Sequence, residues 1–339
     1  MKRTDAEKKC NALAEKLQSM QPWNQYQDND LIVLHFNDAE DVFVTIMGNA
    51  GKIFGISFYP GEQGLDALLR ILHSDAEDIN SHRYYGFDVD NLTLYYDDVK
   101  TIKEGPFLDC LDSEYKNRKG RVPYFVLFEQ GFVPGRPDEK FFEQMQRYLS
   151  GLIRTLEECD STGLTYKSDE EVLYSMMMDE DPDDISVTVL PYPTMSLRFA
   201  DLPYDEKDAA AHFRNMKRTD ETVIIDMDYL DAMESEDLDK PFFPLLIIAV
   251  AENGQIRKGS FLMPRENRIA SIRNFLYEYV KENGIPKNIY ARRDEILHIL
   301  EPICNDQKIE LYELMDSGID DVYTQIRKRA NEDLSNPMS

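Results

Sequence analysis

Thr222-Val223-Ile224-Ile225-Asp226-Met227-Asp228-Tyr229 is a strand-length, β-branched run interrupted by two carboxylates. Two more such runs follow, Phe243 to Ala251 and Ile256 to Met263, on either side of Asn253-Gly254, a dipeptide suited to a tight hairpin turn. The period then turns helical: Ile269, Ile272, Phe275, Leu276, Tyr279 and Val280 share one face until Gly284 and Pro286 stop the helix. Asn288 to Ala291 reads as a short strand, Ile296, Leu297, Ile299, Leu300 and Ile303 as a helix, Ile309 to Leu314 as a strand, and Asp320 to Asn331 as a closing helix. Three strands followed by alternating helix and strand imply an antiparallel triplet extended by two parallel strands, because a parallel addition needs a crossover helix.

That order is similar to ribonuclease H-like domains. The resemblance implies divalent metals held between carboxylates of the first strand, the first long helix, the end of the fourth strand and the last helix. The corresponding positions are Asp226 or Asp228, Glu266 or Glu278, Asp294, and Asp320 or Asp321. Asp226 stands out on physical grounds, since a charge on an apolar strand needs a partner or a metal if it is buried. Strand alternation puts Asp226 and Asp228 on one face and Ile225 and Met227 on the other. The reading with fewest assumptions makes the first face solvent, so that both are ordinary surface carboxylates.

The first half opens with Thr4 and Glu7 at capping-box spacing, then Ala6, Cys10, Leu13, Ala14 and Leu17 on a helical stripe. Leu31 to Phe36, Val42 to Met47 and Lys52 to Tyr59 read as an antiparallel meander. A helix carrying Leu65, Leu68, Leu69 and Leu72 covers it, and strands at Leu92 to Tyr96 and Tyr124 to Glu129 flank a short helix near Phe107 to Tyr115. Gly131, Pro134, Gly135 and Pro137 turn the chain into a long helix bearing Phe141, Met145, Tyr148, Leu149, Leu152 and Leu156. Gly61-Glu62-Gln63-Gly64 lacks the Lys and Ser/Thr of a phosphate loop, so these glycines read as a turn and a helix entry.

Residues 161–184 are dense in Asp, Glu and Ser, ending in Asp179-Glu180-Asp181-Pro182-Asp183-Asp184, and read as an acidic linker. Ile185 to Leu190 and Met195 to Phe199 then read as strands and Asp205 to Lys217 as a helix of the second domain. The expected organisation is an α+β domain with an antiparallel meander over 1–160, a linker over 161–184, and a mixed five-stranded α/β domain of ribonuclease H-like order over 185–335.

The net charge of −26 opposes nucleic-acid phosphates and anionic membranes. Against that field, Arg257 to Arg293 holds nine bases and three acids, which makes Arg268, Arg292 and Arg293 candidates for a phosphate-binding face. Cys10, Cys110, Cys159 and Cys304 form no C-x-x-C pair and suit buried thiols in a reducing compartment. The five histidines show no paired ligand spacing, and no nucleophile elbow occurs. Neither a signal peptide nor an apolar run of about 18 residues is present, so the expected location is the cytoplasm.

Val42-Phe43-Val44-Thr45-Ile46-Met47-Gly48-Asn49-Ala50-Gly51, continuing through Gly55, Tyr59, Gly61 and Gly64-Leu65, resembles a bacterial domain of unknown function. Phe128 to Pro137 is similar to a later part of that domain. Gly284 to Leu297, with Arg292-Arg293-Asp294-Glu295 before a Leu-rich helix, through Lys308 to Leu311, resembles a second such domain that often follows it. Neither resemblance implies an activity.

The expected function is therefore a non-catalytic binding or regulatory protein, with a protein partner preferred to nucleic acid and no cofactor. The alternative is a nuclease or phosphoryl-transfer enzyme using Asp226, Asp228 and Asp294 with magnesium or manganese.

Overall fold

A computed structural model describes residues 4–73, 79–166, 170–177, 185–193, 204–234, 238–314 and 318–335. The chain divides into two units, the first made of residues 1–78, 88–129 and 134–196, the second of 79–87, 130–133 and 197–339.

In the first unit, α1 (Asp5–Met20) begins at Thr4, whose hydroxyl accepts the Glu7 backbone N–H at 3.3 Å. β1 (Leu31–Phe36), β2 (Val42–Met47) and β3 (Phe54–Pro60) follow, then α2 (Gly61–His73). After α3 (Ile79–Phe87), which belongs to the second unit, come β4 (Asn91–Asp98), α4 (Val99–Glu104), β5 (Arg121–Phe128), α5 (Glu139–Thr162), β6 (Glu171–Met177) and β7 (Ile185–Pro191). The seven strands form one sheet in the order β5-β4-β3-β2-β1-β6-β7. β1 to β3 are the expected antiparallel meander, β4 and β5 extend it antiparallel, and β6 returns through α5 to lie parallel to β1. Cys10, Ala14 and Leu17 of α1 and Met145, Leu149 and Leu152 of α5 pack on one face, while Ala67 and Leu68 of α2 pack on the other.

Two expected boundaries move. β6 lies where the linker was expected, and β7 pairs antiparallel with β6 in the first sheet and so is not a strand of the second domain. The reason is burial on both faces: Val172 packs on one side of the sheet and Leu173 and Met177 on the other, and that apolar content outweighs the acidic composition around them. The Asp179 to Asp184 run and the Met195 to Phe199 strand lie outside the described residues. In place of the short helix expected near Phe107 to Tyr115 there is a single tight turn at Leu108–Cys110, and the helix, α4, lies before it at Val99–Glu104.

In the second unit, α6 (Glu206–Phe213), β8 (Thr222–Tyr229), β9 (Leu245–Ala251), β10 (Ile256–Leu262), α7 (Arg268–Asn283), β11 (Asn288–Ala291), α8 (Asp294–Gln307), β12 (Glu310–Glu313) and α9 (Ile319–Ser335) follow in order. The five strands run β10-β9-β8-β11-β12. β8, β9 and β10 are antiparallel, and β11 and β12 add in parallel, as the element order implied. Segments from the first half of the chain complete this unit. Gly131 donates its N–H to Phe87 O at 2.9 Å and accepts from Phe243 N–H at 2.7 Å, and the Phe87 and Phe243 rings stack at 3.9 Å.

Candidate functional site

β8 alternates as expected: Val223, Ile225 and Met227 are buried against α7 and α8. The opposite face carries Asp226 and Asp228, and it is not solvent. Leu246, Ile248 and Val250 of β9 share that face with Ile319 and Tyr323 of α9 packed over it, and both carboxylates are 0 % exposed. The surface reading of these two residues is thereby corrected, because α9 closes the face that alternation left open.

Burial requires partners, and arginines supply them. In the parallel register Tyr290 faces Ile224, so Arg292, two residues on, stands beside Asp226. Arg292 Nη2 donates to Asp226 Oδ2 at 2.8 Å and Nη1 to Asp320 Oδ1 at 2.6 Å. Arg327 Nη2 donates to Asp228 Oδ2 at 2.5 Å and to Tyr229 O at 3.1 Å, while Asp228 Oδ1 accepts the Tyr229 N–H at 2.8 Å. Arg293 Nε lies 3.9 Å from Asp226 Oδ1 and donates to Met227 O at 3.4 Å. Asp226, Asp228 and Asp320 are thus matched by Arg292, Arg293 and Arg327.

Burial raises the Asp226 carboxyl above its ordinary value, and Arg293 and Arg292 pull it back. Burial opposes the charge on Arg292, but Asp226 and the Asp320 hydrogen bond overcome it and hold that guanidinium above its usual value. The network is tight but incomplete: Asp226 Oδ1, Arg292 Nε, Arg293 Nη2 and Arg327 Nε are buried without hydrogen-bond partners. Each such atom costs about 1–3 kcal/mol.

Other candidates lie elsewhere. Arg268 donates to Glu295 Oε2 at 3.1 Å and to the Tyr229 hydroxyl. With side chains 15 %, 12 % and 3 % exposed and carboxylate partners, Arg268, Arg292 and Arg293 do not form an open phosphate-binding face. Arg257, Lys258, Arg268, Arg292 and Arg293 of the basic stretch are matched to the protein's own acids. Asp294 occupies the first turn of α8, Glu278 pairs with Lys258 at 3.0 Å, and Glu266 sits in an exposed turn. Among the described residues no three of His, Cys, Asp and Glu come together in a metal-holding arrangement, so Asp294 does not complete a triad with Asp226 and Asp228. All four cysteines are buried and unbridged.

Arg327 and Tyr84 were absent from the sequence reading. Arg327 had a usable signal: Asp320, Tyr323 and Arg327 fall on one helical face, so an acid, an aromatic and a base point the same way. Tyr84, whose ring meets Arg293, had none, because nothing local assigns α3 to the second sheet.

Fold and site together define a two-unit protein of two mixed α/β sheets, the second with a charge-paired interior. The chain belongs to the family described as Domain of unknown function (DUF7309), which matches residues 8–177. Residues 210–326 match a second description, Domain of unknown function (DUF6930). No curated protein matches the chain. Among solved structures, a chain in "CryoEM structure of simian T-cell lymphotropic virus intasome in complex with PP2A regulatory subunit B56 gamma" is 11 % identical, covering 38 % of this chain and 46 % of that one, with a TM-score of 0.27. The match spans under half of that chain, and a likeness this slight carries no argument. Among the described residues no helix is long and apolar enough to cross a membrane.

Proposed function

We propose that this is a non-catalytic binding or regulatory protein. The observation that carries the reading is that Asp226 and Asp228 are fully buried and engaged by Arg292, Arg293 and Arg327. A carboxylate that is to hold a divalent ion must offer its oxygens to the ion, and here guanidinium groups take that place. The acidic field and the internal pairing of Arg268, Arg292 and Arg293 favour a protein partner over nucleic acid. A cytoplasmic, bacterial setting belongs to the same proposal, as does reading the second sheet as ribonuclease H-like on its strand order.

Strand order also motivates a second reading, a magnesium- or manganese-dependent nuclease or phosphoryl-transfer enzyme using Asp226, Asp228 and Asp294. It would require Arg292 and Arg327 to leave the carboxylates first. Calorimetric titration of the full chain with magnesium and manganese separates the two. The proposal expects no stoichiometric binding; two ions bound per chain, lost in Asp226→Asn, would establish the enzyme reading instead.

A further inference from the structure

Among the described side chains, α9 holds the second sheet by a narrow apolar contact. Ile319 and Tyr323 are buried on its inner side, and Val322 and Ile326 are half-buried. By contrast, α7 buries Ile272, Phe275, Leu276, Tyr279 and Val280, and α8 buries Ile296, Ile299, Leu300 and Ile303. Beside hydrogen bonds from Tyr323 to Leu246 O and from Arg327 to Tyr229 O, α9 meets the sheet through crossed ion pairs: a helix carboxylate, Asp320, meets a sheet cation, Arg292, and a helix cation, Arg327, meets a sheet carboxylate, Asp228.

Beneath this contact lie Asp226 Oδ1, Arg292 Nε and Arg327 Nε, buried without hydrogen-bond partners. Lifting α9 would give these atoms water and leave Asp226 and Arg292 paired with each other. Lifting α7 or α8 would expose a broad apolar face with no such return.

We propose that α9 is a releasable strap: it undocks as a unit while β8 to β12, α7 and α8 stay folded, uncovering Asp226, Asp228, Leu246 and Ile248. The crossed pairs set the docked register, and the narrow apolar seam makes release a local event. This holds whichever function the protein performs, since it concerns access to that face and not what binds there.

Native-state hydrogen exchange on the full chain, read by mass spectrometry, tests it. Amides of residues 321–329 should exchange at least about tenfold faster than interior amides of α7 and α8. Asp320→Asn and Arg327→Met should each accelerate α9 further, with α9 staying ahead of α7 and α8. In an Ile248→Cys variant, the new thiol should react with a thiol reagent at the α9 opening rate, faster when combined with Arg327→Met. The strap is excluded if α9 exchanges in step with α7 and β8, in the wild type or in either variant. Should a variant fail to fold, the wild-type comparison of α9 with α7 decides alone.

Discussion

The guanidinium carbon of Arg293 lies 3.9 Å from the centre of the Tyr84 ring. That contact joins the end of β11 to a helix that the chain lays down before β4, and it makes the second unit discontinuous in sequence. Tyr84 is 2 % exposed and also packs on Tyr229 at 5.5 Å between centroids.

A fragment spanning 185–335, the second domain as its composition suggests, should therefore not fold on its own. It lacks α3 and residues 130–133 and carries β7, a strand of the other sheet. Urea unfolding should show no cooperative transition for the fragment, whereas in the full chain Tyr84→Ala should lower stability by about 3–5 kcal/mol. A sharp transition in the isolated fragment would contradict this.

How much of this was legible in the letters follows from the range of each interaction. β8 to β12 were readable because a hairpin dipeptide, strand alternation and crossover lengths are local signals, and they fixed the strand order. Asp226 was legible as a residue needing an explanation, but its burial was not, because it depends on α9 returning from nearly a hundred residues downstream. β6 was missed because acids at the surrounding positions masked a short apolar run buried on both faces. α3 was missed because only long-range contacts place it in the second unit.

The Arg327–Asp228 pair allows a double-mutant cycle. Each partner is buried, with side chains 13 % and 1 % exposed, so removing one strands the other. Asp228→Ala and Arg327→Met should each cost about 3–5 kcal/mol, and the double variant clearly less than their sum. Chemical denaturation of the four proteins measures the coupling. Full additivity would mean that the pair contributes nothing as a pair.

Alkali should destabilise the fold in a defined window. Burial pushes the Cys10, Cys110 and Cys304 thiols up to about 12. A thiol ionises near 9 when unfolded, so the native state holds the proton more tightly, and the stability this contributes is complete below about pH 9 and lost as pH rises towards 12. Each thiol contributes up to about 1.4 kcal/mol per pH unit there. Urea midpoints should fall across that range, and Cys304→Ala should flatten the slope. At pH 8 the native protein should resist thiol reagents until it is unfolded.

The glycines of the first unit separate packing from backbone effects. A Cβ on Gly64 would lie 2.7 Å from the carbonyl carbon of Tyr59, a backbone atom that cannot move aside without shifting the start of α2. Gly51 has φ +74 and open space around its Cβ position, so alanine there meets only the left-handed backbone penalty. Gly61, at the entry to α2, has φ +70 and is crowded by the Glu40 carboxylate, so a side chain there would meet both backbone strain and that group. Gly64 thus serves the close approach of α2 and β3, and Gly51 the left-handed turn between β2 and β3. Gly51→Ala should cost about 1–2 kcal/mol, and Gly64→Ala about 1–3 kcal/mol or more, with the larger loss at Gly64. Thermal unfolding of both variants checks the ranking, and a Gly64→Ala protein as stable as wild type would show that α2 can shift away from Tyr59 at no cost.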